Sequence, residues 1–331
     1  MLHVTNGDST VPGIEATGVG GDVIPWRDVL HEGPVPPGDA AAVRAARARF
    51  LAECGWGDAD AIEAQMRARD ERLALALRRD EVVVLWFEHD LYDQLQLLQV
   101  LDAVDSAGEV EAILPDRFLG AMEVDELAAL WPDRAPLRRD QFALARLAWE
   151  AVRAPGPEGI EALLTTHTAA LPNLGPALRR LLEELPGAGD GLGRTERQAL
   201  QAIAAGARSP YDVFLATQRA EEAPFLGDTW MWTRLAELGR GDGRLLQTAA
   251  GEPLPAPPPR SDADGFTDQE LVLTAAGRAV LAGEADRCAL LPVDRWIGGM
   301  HLTGPEPEWR WDRATGRAVS ATASGGGGGG R

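Results

Sequence analysis

The clearest hydrophobic feature of the chain is a continuous apolar run at residues 82–87, Val-Val-Val-Leu-Trp-Phe, which ends abruptly in Glu88, His89 and Asp90. A run rich in β-branched and aromatic residues predicts a strand buried on both faces of a sheet. Leucines at positions 91, 95, 98 and 101 then share one stripe of a predicted amphipathic helix. The three ionisable residues therefore fall at the carboxyl end of a central strand, where open α/β sheets bind ligands.

The first turn of this predicted helix is also polar. Asp90 is a suitable N-cap, and Asp93 adds negative charge where the helix dipole favours it. An alternative interpretation is that Asp90 only caps the helix and Glu88 is only solvated. Three consecutive ionisable residues at a strand end favour a catalytic role for Glu88, His89 and Asp90, with Asp93 and Gln94 as candidate ligand contacts.

A second polar loop follows the strand predicted at residues 2–5, and it contains Asn6, Gly7, Asp8 and Ser9. In Rossmann-like units such a loop commonly contacts a ligand, although this one matches neither GxGxxG nor the P-loop. We take Asp8 as a candidate catalytic residue and the other three as candidate ligand contacts. Gly-Asp-Ser is also similar to the nucleophile block of the SGNH hydrolases, but no Asp-x-x-His follows near the C-terminus to supply a base.

A third polar loop, at residues 27–37, follows the strand predicted at 23–26. It carries Asp28, His31 and Glu32, and Gly33-Pro34 predicts a rigid turn behind them. A loop that only reversed the chain would not need three ionisable residues, so these are candidate catalytic residues and Gly33 is a candidate ligand contact. The alternative is an ordinary charged surface loop.

The remaining pattern predicts an α/β fold class. We expect a Rossmann-like, mostly parallel sheet, then a helical segment and a winged-helix-like C-terminal domain. Helices are predicted at about 40–54 and 60–79, the latter opened by a capping box at Asp60, and a strand at 110–114. The predicted domains are 1–120, 121–188, 189–320 and a disordered Gly-rich tail at 321–331.

The winged-helix prediction rests on three helices near 194–205, 209–220 and 228–238, followed by short strands and a Leu-Thr-x-x-Gly-x-x-x-Leu-x-Gly pattern. Residues 190–300 carry 16 acidic residues and 11 Arg, a net charge of −5. Because a groove-reading helix usually comes with a positive field, this charge disfavours DNA binding. We expect Trp230 or Trp232 to pack inward.

Near the C-terminus, the stretch 294–304 combines Gly298-Gly299 with His301. Two glycines permit close backbone approach, and His301 is a candidate acid–base group or ligand if it reaches the N-terminal cluster. The alternative is a histidine that forms a hydrogen bond within its own hairpin.

Composition narrows the choice of function. The 331-residue chain has a net charge of −19, and all 32 basic residues are Arg, which argues against non-specific binding to nucleic acid or anionic membranes. Two distant cysteines predict neither a disulfide framework nor a zinc site. The chain shows no signal peptide and no membrane-spanning apolar stretch, so we expect a cytoplasmic protein.

The three N-terminal motifs, His-Val-Thr-Asn-Gly-Asp at 3–8, Trp-Arg-Asp-Val-Leu-His-Glu-Gly-Pro at 26–34 and Phe-Glu-His-Asp-Leu-Tyr-Asp-Gln at 87–94, occur in one order. In that order the first 120 or so residues resemble the bacterial family catalogued as domain of unknown function 1835. The C-terminal part resembles longer members that end in Trp-Ile-Gly-Gly-x-His-Leu. The resemblance implies a fold and likely site positions but no activity.

Two functions follow from this reading. The first is a hydrolase or transferase acting on a nucleotide or other phosphate-containing small molecule, through a carboxylate and histidine cluster that performs acid–base chemistry or holds a divalent metal. The second is a ligand-sensing regulator or adaptor, whose winged-helix-like domain contacts a protein or, against its charge, DNA. The oligomeric state is not predicted.

Overall fold

The structure, a computed structural model, describes residues 1–104, 108–166, 168–257 and 265–321. The chain divides into two units: Met1–Glu53 with Gly57–Arg179, and Cys54–Trp56 with Arg180–Arg331. The Gly-rich tail predicted at the C-terminus lies, from residue 322 onward, outside the described residues.

The first unit is built on a five-stranded, mostly parallel sheet. Its strands are β1 (Leu2–Thr5), β2 (Asp22–Pro25), β3 (Val83–Trp86), β4 (Val110–Ile113) and β5 (Ala135–Pro136). The order is β2-β1-β3-β4-β5, and only β5 is antiparallel to its neighbour. All four residues of β3 are fully buried, as the apolar run predicts. The predicted α/β class with a mostly parallel sheet is confirmed.

The strand order places a topological switch point between β1 and β3. From β1 the chain passes to β2 on one side, and β3 then lies on the other side of β1. The loops after β1 and β3 therefore leave neighbouring strands in opposite directions, and ligands of open α/β sheets bind at such a point. Asn6 and Glu88 follow these two strands.

The helices of the first unit flank this sheet. They are α1 (Val11–Ala16), α2 (Ala40–Glu53), α3 (Ala59–Arg78), α4 (Leu91–Val104), α5 (Val124–Leu130), α6 (Arg139–Val152) and α7 (Glu158–Thr165), with 3-10 turns at Leu119–Ala121 and Trp131–Asp133. The helix α8 (Leu174–Leu182) carries the boundary between the units. The N-cap of α3 is Asp58 and not the predicted Asp60, because the Asp58 carboxylate accepts from the Ala61 amide at 3.0 Å.

The second unit combines helices with three antiparallel hairpins. Its helices are α9 (Arg194–Ala204), α10 (Pro210–Ala220), α11 (Asp228–Leu238), α12 (Ala275–Leu281) and α13 (Arg287–Leu290). The hairpins pair β6 (Leu246–Thr248) with β7 (Leu271–Leu273), β8 (Val293–Ile297) with β9 (Met300–Gly304), and β10 (Trp309–Asp312) with β11 (Arg317–Ser320). Both Trp230 and Trp232 are buried, as expected. None of the described helices is both long and apolar enough to cross a bilayer.

One buried arginine orders the loop after β2. The Arg47 side chain, on α2, is inaccessible to solvent, and its Nε donates to Asp28 Oδ1 at 2.9 Å. Its two Nη atoms donate to the carbonyl oxygens of Val29, Glu32 and Pro34 at 2.5–3.3 Å. A buried guanidinium is stable only with such partners, so the loop and the helix depend on each other.

We expect Arg47→Met to lower the free energy of unfolding by about 3–5 kcal/mol, because it leaves the buried Asp28 carboxylate and three loop carbonyls without their donor. Urea unfolding measures the change. The matched control is Arg67→Met on α3, which removes only an exposed ion pair with Glu63 and should cost about 0.5 kcal/mol or less. Equal losses in the two variants would contradict the anchoring role of Arg47.

Candidate functional site

Three buried carboxyl groups converge where β3 passes into α4. One oxygen from each of Glu88, Asp90 and Asp93 lies within 4.8 Å of the others. Glu88 follows the end of the strand, Asp90 directly precedes the helix, and Asp93 stands in its first turn. The residues are 1 %, 4 % and 1 % exposed, so the cluster is part of the interior and not a solvated surface.

Neutral donors hold this cluster in place. The Asn6 amide donates to Glu88 Oε1 at 3.1 Å and to Asp93 Oδ2 at 2.8 Å, which joins the loop after β1 to the end of β3. The backbone amide of Leu119 donates to Glu88 Oε1 at 2.8 Å, and that of Glu88 to Asp93 Oδ1 at 2.7 Å. Across the described chain, no arginine is seen pairing with any of the three carboxylates.

Asp90 acts as the predicted N-cap, since its Oδ1 accepts from the Asp93 amide at 3.1 Å. The capping interpretation is therefore correct as far as it goes. It does not account for the cluster, because Asp90 is buried beside Glu88 instead of facing solvent as a cap at a helix surface would.

With no positive charge beside them among the described residues, the three carboxyl groups have raised pKa values. Burial, and then the charge of Asp93, raises the pKa of Glu88 to about 8. Burial and the charge of Glu88 raise the pKa of Asp90 to about 8, and burial with the charge of Asp90 raises that of Asp93 well above its usual range. Three carboxylates this close cannot all ionise unless protons or a cation compensate their charge.

Tyr92 connects the cluster to the loop after β2, and the sequence analysis missed it. Its hydroxyl donates to the backbone oxygen of Asn6 at 3.3 Å. Its ring meets that of His31 edge-on, with 5.8 Å between the centroids. Burial, and then the charge of Asp93, raises the pKa of Tyr92, so the phenol stays a neutral donor. The available signal was its place in the same post-strand motif as Asp90 and Asp93.

Gln96 makes a second link, also missed. Its Nε2 donates to the backbone oxygen of Asp28 at 2.6 Å. The sequence predicts that the Asp28 loop and the end of β3 share one pocket, and the contacts through Gln96 and Tyr92 bring the two loops together. His31 and Glu32 are also buried there, whereas Gly33 forms the turn with a φ of +74° beside the Phe50 ring.

The other candidates of the first unit take different places. Gln94 donates from Nε2 to the backbone oxygen of Glu88 at 2.6 Å, which fixes the strand end. His89 is half-buried, and among the described residues its Nδ1 has no hydrogen-bond partner. Gly7 is half-buried and Ser9 is exposed.

Asp8 does not join the buried cluster. Its carboxylate is 67 % exposed and pairs with Arg27 at 2.6 Å on the surface. The expectation that it shares one pocket with Glu88 stays a prediction: the two residues follow neighbouring parallel strands, and the Asp8 carboxylate pairs with Arg27 at the surface.

His301 has its partners within its own hairpin. Its Nε2 lies 2.7 Å from Asp294 Oδ1, and its ring stacks on Trp296 with the centroids 4.2 Å apart. Gly298 and Gly299 form the two-residue turn between β8 and β9, which explains the glycine pair without a close approach to another surface. Within the second unit, His301 therefore forms the local hydrogen bond that the alternative interpretation expects. A link from His301 to the N-terminal cluster stays a prediction.

Comparison of the chain with protein-family models and with curated proteins found no match. The resemblance to domain of unknown function 1835 stays a prediction. The functional assignment below accordingly rests on the geometry of the site.

The raised pKa values generate a stability prediction. An acid whose pKa is about 8 when folded and about 4 when unfolded binds more protons in the folded state between these values, so its contribution to stability falls as pH rises from about 4 to 8. With a metal chelator present, the free energy of unfolding should therefore decrease as pH rises from about 4 to 8. The decrease should be less steep in Glu88→Gln than in the wild type. The exposed Glu15→Gln should keep the wild-type profile, and identical profiles for all three proteins would contradict the assignment.

Proposed function

We propose that this protein is a metal-dependent hydrolase or transferase that acts on a nucleotide or another phosphate-containing small molecule. The observation that carries the proposal is the convergence of Glu88, Asp90 and Asp93 at the carboxyl end of β3, beside the switch point between β1 and β3. We further propose that the protein is cytoplasmic, that its sheet is Rossmann-like, and that it belongs with domain of unknown function 1835.

The donor set fits a hard divalent cation. Carboxylate oxygens suit Mg²⁺ or Mn²⁺, and three of them can approach one ion from the present arrangement. Hydrogen bonds from Asn6 and the Leu119 amide already orient two of these groups, as supporting contacts do in metal sites. The cation would replace the protons that the isolated cluster holds.

A cation also reconciles the acidic site with an anionic substrate. Phosphate oxygens would be repelled by three carboxylates, whereas a divalent ion attracts them and polarises the phosphorus centre for attack. Beside it, the Tyr92 hydroxyl donates to the Asn6 backbone oxygen and so helps to position the loop after β1. His89 is the residue best suited to move a proton, because it is half-buried and its Nδ1 is uncommitted among the described residues.

We expect Mn²⁺ or Mg²⁺ to bind the protein at pH 8 and to raise its melting temperature, as measured by isothermal titration calorimetry and thermal unfolding. Glu88→Gln should weaken binding about tenfold or more, because it removes one charged ligand while preserving shape. In a panel of nucleoside triphosphates and phosphomonoesters, turnover should require the cation and decline in His89→Ala.

The control for this experiment is Asp116→Asn, which removes an exposed carboxylate after β4, outside the cluster. It should bind the cation as the wild type does. The proposal would be refuted if Mg²⁺, Mn²⁺ and Ca²⁺ all gave no binding heat and no shift in melting temperature, and if no compound of the panel were turned over.

A second candidate function is a regulator or adaptor, and the order of elements in the second unit favours it. Three helices, α9–α11, precede the antiparallel β6–β7 pair, as in a winged helix. On α11, which would be the reading helix, Trp230, Trp232 and Arg234 are buried. A helix engaged in this way has little surface left for a DNA groove, so we propose a protein contact for this module.

We expect no retained band in a gel-shift assay with genomic fragments at low salt. The buried side chains of α11 and the net charge of −5 over residues 190–300 favour little release of counterions from DNA. A retained band that disappears as salt is raised would instead restore DNA binding as the function of the second unit.

A further inference from the structure

Two acceptor atoms are buried where α4 meets the loop after β2. Among the described residues, Asp28 Oδ2 and Gln96 Oε1 have no hydrogen-bond partner, and the two residues are 1 % and 0 % exposed. A buried acceptor without a donor costs about 1–3 kcal/mol. Because more than about 90 % of buried polar groups in native proteins are satisfied, this pair points to donors that come from outside the chain.

The nearest cation is fully engaged elsewhere. Arg47 donates its Nε to the other Asp28 oxygen at 2.9 Å, and both of its Nη atoms donate to loop carbonyls. Gln96 directs its own amide nitrogen to the Asp28 backbone at 2.6 Å, which turns its oxygen to the opposite side of the amide. One anionic and one neutral acceptor are thereby fixed on adjacent side chains.

Contacts along α4 link these acceptors to the cluster. Tyr92 and Gln96 are four residues apart on α4 and so share one face of the helix. Tyr92 contacts Asn6, which bridges Glu88 and Asp93, and the His31 ring lies against Tyr92. The two acceptors are therefore joined to the carboxyl cluster through α4 and the loops after β1 and β2.

We propose that Asp28 and Gln96 recognise an amino group on a planar ring, that of an adenine- or cytosine-type base, in the substrate. This inference rests on the proposed function, since it names the part of a nucleotide that the site selects. An amino group offers two N–H bonds to two acceptors. An oxo group at the same place would oppose acceptor to acceptor and leave both protein atoms unsatisfied.

The test compares nucleosides in which an oxo group replaces this amino group, a change that also turns the adjacent ring nitrogen from an acceptor into a donor. Isothermal titration calorimetry measures the binding of cytidine, uridine, adenosine and inosine to the full chain. A metal chelator is present, so that neither metal binding nor turnover contributes to the heat. We expect the amino member of at least one pair to bind about tenfold or more tightly, since one lost hydrogen bond of this kind is worth about 1.4 kcal/mol. Methylammonium should not compete, because it lacks the ring.

Two variants sharpen the result. Gln96→Met removes one acceptor and should reduce the preference, whereas Gln65→Met, an exposed position on α3, should leave it unchanged. In Asp28→Asn, Arg47 retains the side-chain oxygen and the new amide nitrogen takes the place of Oδ2. The acceptor becomes a donor, so the preference should move toward uridine or inosine, a reversal that unfolding cannot produce.

Failure of this inference differs from failure of the proposed function. No binding by any nucleoside, no preference for the amino member, or an unchanged preference in both Gln96→Met and Asp28→Asn would overturn it, and would leave bound water as the partner of the two acceptors. Asp116→Asn, which changes an exposed residue outside the cluster, should keep the preference. Nucleoside discrimination without cation binding or turnover would refute the enzyme and retain the recognition site.

Discussion

The burial of three carboxyl groups with only neutral donors around them is the constraint on which the N-terminal unit depends. Removing such groups from water is expensive, and in most proteins an arginine or lysine compensates. Here Asn6 and the Leu119 amide provide hydrogen bonds but no charge. The interior therefore stores protons at Glu88, Asp90 and Asp93, or accepts a cation in their place.

The buried charge of Arg47, on α2, has an acidic partner, in contrast to the carboxyl cluster. Arg47 forms an ion pair with Asp28, and its two Nη atoms donate hydrogen bonds to carbonyl oxygens of the loop after β2. These hydrogen bonds fix the loop after β2 on α2. In the loop after β2, the charge of Asp28 is balanced by Arg47, whereas the carboxyl cluster has no balancing cation among the described residues. Tyr92 and Gln96, both on α4, connect the loop and the cluster.

The sequence was informative where a signal is local. The apolar run predicts β3, and the abrupt change after Phe87 places Glu88 and Asp90 at a strand end. It was not informative about the roles of Tyr92, Gln96 and Arg47, because those depend on contacts with loops distant in sequence: Gln96 lies 68 residues from Asp28 along the chain. The sequence likewise did not show that the Asp8 carboxylate, which follows β1, is exposed and pairs with Arg27.

By itself, the sequence determined the class of fold, the central strand, the helix that follows it and the group of polar residues at the strand end, since periodicity and capping act over a few neighbouring residues. The tertiary structure alone decided which of those polar residues meet. The bond between Asn6 and Asp93 spans 87 residues, and it exists because β1 and β3 are adjacent in the sheet. The burial that raises the acidity of the cluster likewise arises only once strands and helices pack, since a residue's solvation depends on neighbours that its local sequence does not specify.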